Sequence, residues 1–148
     1  MIKVEGLKKI KDEDGLLVDY ACGTGISGVD QVKVGFKNII GVDASQEMLN
    51  KCPEGVYVKK IKHILGMDPL PEELIDKVDI LCAVGCMVPN HVPLSVYEDL
   101  LPLIKTGGYL VFNVRDSIWE GSELPFREAM EKLIKDKKYT LVERSQYQ

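Results

Sequence analysis

Two features of the sequence have residue types and spacing suited to chemistry. One is the stretch Asp19-Tyr20-Ala21-Cys22-Gly23-Thr24-Gly25-Ile26-Ser27-Gly28; the other is a carboxylate further on, Asp43. Glycines in a turn between a strand and a helix let a ligand lie against bare backbone, because a Cβ would block its approach. Asp43 stands eighteen residues after Gly25 at the end of the next apolar run. On a strand adjacent to the first, its carboxylate accepts hydrogen bonds from both hydroxyls of a ribose. Gly23, Gly25 and Gly28 also satisfy the literal dinucleotide pattern G-x-G-x-x-G. Asp19 separates the two nucleoside cofactors, since a carboxylate four residues before Gly23 repels a pyrophosphate but suits a cation. It can orient the amino group of a methionine moiety and support the amides of the loop, so S-adenosylmethionine is expected ahead of NAD.

These residues need a frame that brings strand ends together. Short apolar runs rich in β-formers alternate with segments of helical spacing, the pattern of a parallel sheet covered by helices. Strands are predicted at Leu16 to Ala21, Asn38 to Val42, Val56 to Ile61, Val78 to Val84, Tyr109 to Val114 and Tyr139 to Glu143. The near-continuous apolar character of the fourth and fifth suits burial on both faces. A lysine-rich helix precedes the first strand, and another of modest quality joins the first two. Ser45 is the expected N-cap of a helix running to about Lys51, where Cys52-Pro53 stops it. Two more helices are read from stripes: Tyr97, Leu100, Leu101 and Ile104 in Leu94 to Ile104, then Phe126, Met130, Leu133 and Ile134 in Pro125 to Lys137.

Length and composition narrow the class. The 148 residues, 45% hydrophobic, fit one domain with one core, and a net charge of -4 with dispersed lysines offers no basic stripe for nucleic acid. No apolar run reaches the ~20 residues of a membrane-spanning helix, and no secretory leader is visible, so a cytoplasmic location is expected. Cys22, Cys52, Cys82 and Cys86 lack C-x-x-C spacing and read as buried thiols; with only two histidines, no metal site is expected.

Val18 to Gly25 resembles motif I of the class I S-adenosylmethionine-dependent methyltransferases, and Gly41-Val42-Asp43-Ala44-Ser45 resembles their acidic loop. Val78 to Gly85 is similar to motif IV, and Leu103 to Val111 to the turn before strand five. Asn90-His91-Val92-Pro93 and Asn113-Val114-Arg115-Asp116 look most like the Williams-Beuren syndrome chromosome region 27 methyltransferase group. The resemblance implies a Rossmann-like, doubly wound, mostly parallel sheet. It also implies that Asp19, Ala21, Gly23, Thr24 and Gly25 surround the methionine part of the cofactor and that Asp43 holds the ribose. Ala44 and Met48 would line the adenine side, and the Ala83-Val84 backbone would face the cofactor.

The sequence departs from that group at three places. Leu65 stands where the group has an aspartate for the adenine amino group, a loss of about 1 to 3 kcal/mol in binding unless Asp68 or a carbonyl substitutes. An N-terminal helical cap and a last antiparallel strand are also expected to be missing; either the chain is a fragment, or the sheet edge is left to Arg144–Gln148, to a partner chain, or open. The expected activity is methyl transfer to a small-molecule O, N or S acceptor, a reaction that rests on positioning and needs no dedicated acid or base. His91 is the candidate general base, against a role as cap of the helix near Pro93. Arg115 is the candidate grip on an acidic substrate group, against an ion pair with Asp116 or Glu120, and Trp119 with Phe126 are candidates for an apolar lid, against core packing of at least one of them. A non-catalytic binder with a degenerate fold and an NAD-dependent oxidoreductase are the competing readings.

Overall fold

The computed structural model of the chain describes residues 5–88, 91–121 and 125–145. Five parallel strands, β1 (Leu17–Tyr20), β2 (Ile39–Asp43), β3 (Lys59–Lys62), β4 (Val78–Ala83) and β5 (Ile104–Phe112), form one sheet in the order β3-β2-β1-β4-β5. The order reverses direction between β1 and β4, which opens a crevice over their carboxyl ends. β1, between β2 and β4, is buried at every position, as its apolar run predicts.

Alternation along the strands divides the core. Val18, Tyr20, Leu81 and Ala83 pack with Tyr97, Leu100, Leu103, Phe126, Met130 and Leu133. Leu17, Ile39, Ile80 and Cys82 instead pack with Phe36 and with Leu7 and Ile10 of α1 (Glu5–Asp12). On the chain after β1 comes α2 (Ile26–Lys33), and after β2 comes α3 (Gln46–Lys51), where Ser45 Oγ accepts from the Met48 amide at 3.3 Å as the capping pattern predicts.

Three expected elements differ. β3 begins at Lys59, not Val56, because Val56 is buried and the Tyr57 ring turns back onto Gly25, Gly28 and Gly41. Its three exposed lysines blunt that edge of the sheet. The helix expected over Leu94 to Ile104 is split into α4 (Val96–Asp99) and a 3-10 turn (Leu101–Leu103), since Pro102 has no amide to continue the ladder. β5 consequently starts at Ile104; it advances to Tyr109 while β4 advances only from Val78 to Ile80, a bulge that takes up Gly107 at φ 83°.

The last expected strand, Tyr139 to Glu143, is not formed. After α5 (Asp116–Trp119) and α6 (Phe126–Lys135), the Tyr139 hydroxyl donates to the Tyr97 carbonyl at 2.7 Å. Arg144 reaches Glu120 at 3.4 Å and lies 5.6 Å over the Trp119 ring. These side-chain anchors carry the segment across the helical layer with Leu141 and Val142 exposed, and the outer edge of β5 is unpaired among the described residues. No helix among them is long and apolar enough to cross a membrane.

Candidate functional site

The glycine loop joins β1 to α2 at the point where the sheet order reverses. Ala21, Gly23 and Gly25 all have left-handed backbone, at φ 57°, 55° and 84°. An alanine held there costs roughly 1 kcal/mol or more, strain of the kind that collects at ligand sites. A Cβ on Gly23 would meet nothing within 4 Å, so this backbone faces open space. Gly28 and Gly41 are glycines for a different reason: a Cβ there would lie 2.4 Å and 2.8 Å from atoms of Tyr57. Thr24 is half-buried in the turn.

Asp43 closes β2 beside this loop. Its Oδ2 accepts from the Gly23 amide at 2.7 Å and its Oδ1 from the Ser45 amide at 2.8 Å. One carboxylate therefore fixes both the glycine loop and the entry to α3, and each oxygen retains acceptor capacity toward the crevice. Ala44 and Met48 are exposed next to it.

Asp19 is 1% exposed and lies beneath the loop. Its Oδ2 accepts from Ser27 at 2.7 Å and from the Tyr57 hydroxyl at 2.6 Å. Burial pushes its carboxyl above the ordinary value, against the lowering effect of hydrogen bonds from Tyr57, Ser27 and Gln31. Ser27 and Tyr57 thus brace the loop through the Asp19 carboxylate. Tyr57 is the functional residue that the sequence did not reveal. Nothing marks it locally, because its partners lie on β1, α2 and β2.

Beyond β3, the His63 amide donates to the Asp43 carbonyl at 3.0 Å. The imidazole is 4% exposed; its Nδ1 and the Tyr20 hydroxyl share a hydrogen bond of 2.5 Å, and its Nε2 has no partner among the described residues. Leu65 is half-buried against the core, so no side-chain acceptor stands at that position. Asp68, exposed in the same turn, accepts from the Ile64 amide through Oδ2 at 2.7 Å.

On the other side of the crevice Ala83 is fully buried and Val84 is 40% exposed. Asn113 Oδ1 accepts from the Gly85 amide at 2.7 Å and ties the segments after β4 and β5 together. His91 is exposed and does not cap a helix: α4 begins at Val96, with Ser95 at its N-cap position. Asn90 of the same motif lies outside the described residues. Arg115 is exposed, and the expected ion pair with Glu120 is not made because Glu120 is held by Arg127 at 2.6 Å and Arg144 at 3.4 Å. Of the two lid candidates, core packing holds for Phe126. Phe126 is 1% exposed and packs edge-on to Tyr97 in the core, while Trp119 packs against Phe112 and Arg144.

All four cysteines are free and buried. Burial pushes the Cys22 and Cys82 thiols up to about 12, the Cys86 thiol to about 11 and the Cys52 thiol above its ordinary value, so none is poised as a thiolate near neutral pH. A cavity of about 380 Å³ opens at the other end of the sheet, at Gly15, Asn38, Asp79 and Lys105. Asp79 is satisfied there by the Leu16 amide and Lys105, which makes this a structural end.

No protein-family model matches the chain. It is 32% identical over 117 residues to methyltransferase-like protein 27 of Homo sapiens, covering 78% of this chain and 46% of that one. It is 26% identical over 105 residues to the ribosomal protein L11 methyltransferase of Aquifex aeolicus, covering 71% and 41%. The chain thus spans less than half the length of these two relatives. Among solved structures, a TehB-like SAM-dependent methyltransferase from Corynebacterium glutamicum superposes with a TM-score of 0.61 at 16% identity, over 88% of this chain and 73% of that one. The fold is that of the class I S-adenosylmethionine-dependent methyltransferases.

Proposed function

On this fold, we propose that the chain binds S-adenosylmethionine across the carboxyl ends of β1, β2 and β4 and transfers its methyl group to a small-molecule O, N or S acceptor in the cytoplasm. The observation that carries the reading is the Asp43 carboxylate, 2.7 Å from the Gly23 amide and beside backbone that faces open space. That pairing supplies a bare surface for a methionine moiety and an acceptor for ribose hydroxyls in one place. It is a cradle that a Cβ on Gly23 would partly fill.

Ala21, Gly23, Thr24 and Gly25 form the floor, with Asp19 holding that floor in shape from below. Asp43 takes the ribose hydroxyls. Ala44 and Met48 offer apolar contact to the adenine, and Leu65 contributes packing without a hydrogen bond. The Asp68 carboxylate stands in the same turn as a substitute acceptor. Ala83 and Val84 present backbone toward the reacting end.

When bound, the cofactor supplies an electrophilic methyl on a sulfonium. The residues of the chain orient it, exclude water and admit the acceptor in line. His91, exposed after β4, takes a proton from an acceptor that must lose one. The relative named for ribosomal protein L11 also brings peptides into the acceptor panel.

The test is formation of S-adenosylhomocysteine from S-adenosylmethionine over a panel of phenols, amines, thiols and peptides. Turnover with one class, lost in Asp43→Ala, is expected. Cofactor binding without turnover across the panel would favour a non-catalytic binder instead, and stabilisation by NADH in preference to S-adenosylmethionine would favour an oxidoreductase.

A further inference from the structure

The two walls of the crevice present different groups. Both carboxylates near the glycine loop, buried Asp19 and half-buried Asp43, belong to β1 and β2. The opposite wall, after β4 and β5, carries the donors of Asn113 and Arg115, with the exposed Asp116 carboxylate, to which Arg115 makes no salt bridge, opening α5. Asn113 gives its Oδ1 to the Gly85 amide at 2.7 Å, and that contact settles which way its amide points. The Nδ2 group, with two N–H donors, is left for other partners on an exposed residue. Two residues on, Arg115 has extended backbone at φ -68° and ψ 141°, and its carbonyl is fixed by the Ile118 and Trp119 amides, both at 2.9 Å.

The guanidinium has no carboxylate partner among the described residues. Glu120, one turn on, is neutralised by Arg127 and Arg144. An arginine without a carboxylate partner among the described residues stands out in a chain of net charge -4. Extended residues advance at most ~3.6 Å each, so a guanidinium at Arg115 and an amide at Asn113 fall within reach of one small planar anion. One fork of N–H donors beside one amide fits a carboxylate, which takes two parallel hydrogen bonds from arginine. A phosphate would call for more cationic groups than this wall has.

Resting on the methyl-transfer reading, we infer that the acceptor carries a carboxylate, gripped by Arg115 and the Asn113 Nδ2 group beside Val84. Its nucleophilic atom is thereby directed toward the reacting end of the cofactor. The carboxylate is a handle and is not itself altered.

The experiment uses the whole chain saturated with S-adenosylhomocysteine and follows the Asn113 side-chain amide and the Arg115 Nε by NMR. Benzoate and butyrate are titrated beside benzamide and butyramide. The carboxylates are expected to shift both resonances saturably and the amides not. Arg115→Gln should weaken carboxylate binding at least tenfold. Asn113→Asp, which retains an acceptor for Gly85 but replaces the donors with a charge, should abolish it. Equal shifts by acids and amides, no shift at either group, or undiminished binding in Arg115→Gln would overturn the inference while leaving cofactor binding intact. Failure of S-adenosylhomocysteine to bind at all is read separately by calorimetry and would remove the cofactor reading on which the inference rests.

Discussion

The Tyr57 hydroxyl donates to Asp19 Oδ2 at 2.6 Å, across 38 positions of sequence, and the same ring closes over Gly25, Gly28 and Gly41. One aromatic side chain thus seals a buried carboxylate under the glycine loop. The consequences for stability are specific.

Burial holds the Asp19 carboxyl above its unfolded value of 3.8, so between the two values the folded state binds the proton more tightly. Its contribution to stability is fully present below the unfolded value and is lost as pH rises through the folded one. Asp19→Asn is expected to flatten the fall in Tm over that window, because the amide oxygen still accepts from Ser27 and Tyr57. Tyr57→Phe removes a lowering hydrogen bond and should extend the window upward, with a loss of about 1 to 3 kcal/mol at neutral pH. Thermal unfolding from pH 3 to 8 checks both, and an unchanged profile in Asp19→Asn would count against the buried charge.

The glycines should separate by role. Gly28→Ala drives a methyl to within 2.4 Å of the Tyr57 hydroxyl and is expected to cost about 1 to 3 kcal/mol, recovered in part by Tyr57→Val. Gly23→Ala meets no atom within 4 Å and bears only the left-handed backbone cost, about 1 kcal/mol. Its methyl enters the cradle, so cofactor affinity should fall at least tenfold while the fold persists. Denaturant melts beside ligand titrations distinguish the two.

Two buried tyrosines give opposite expectations. Tyr20→Phe strands the His63 ring, whose Nε2 already lacks a partner among the described residues, and should destabilise by about 1 to 3 kcal/mol. Tyr97 is fully buried and its hydroxyl has no partner among them, so Tyr97→Phe should be neutral or stabilising. Urea unfolding of both variants is the check.

The sheet, the glycine loop and Asp43 were legible in the sequence because each depends on local pattern: apolar strands, a turn that needs positive φ, and a carboxylate at a strand end. Ser45 as a cap was legible for the same reason. Tyr57 and the Tyr20–His63 pair were not, since their partners are supplied by strands far apart in sequence. Pro102 marked the break in the predicted helix and was outweighed there by the apolar stripe, which the structure keeps through Tyr97, Leu100 and Leu103. The final strand failed because Thr140 to Glu143 has the composition of a strand but is drawn away by Tyr139 and Arg144. Composition does not encode that competition.

The most direct test of the site is calorimetric titration of the purified chain with S-adenosylhomocysteine, run beside Asp43→Ala. Micromolar binding by the wild-type chain, weakened at least tenfold in the variant, is the result the Gly23–Asp43 geometry predicts. No binding to a folded wild-type chain, or equal binding by the variant, would contradict it.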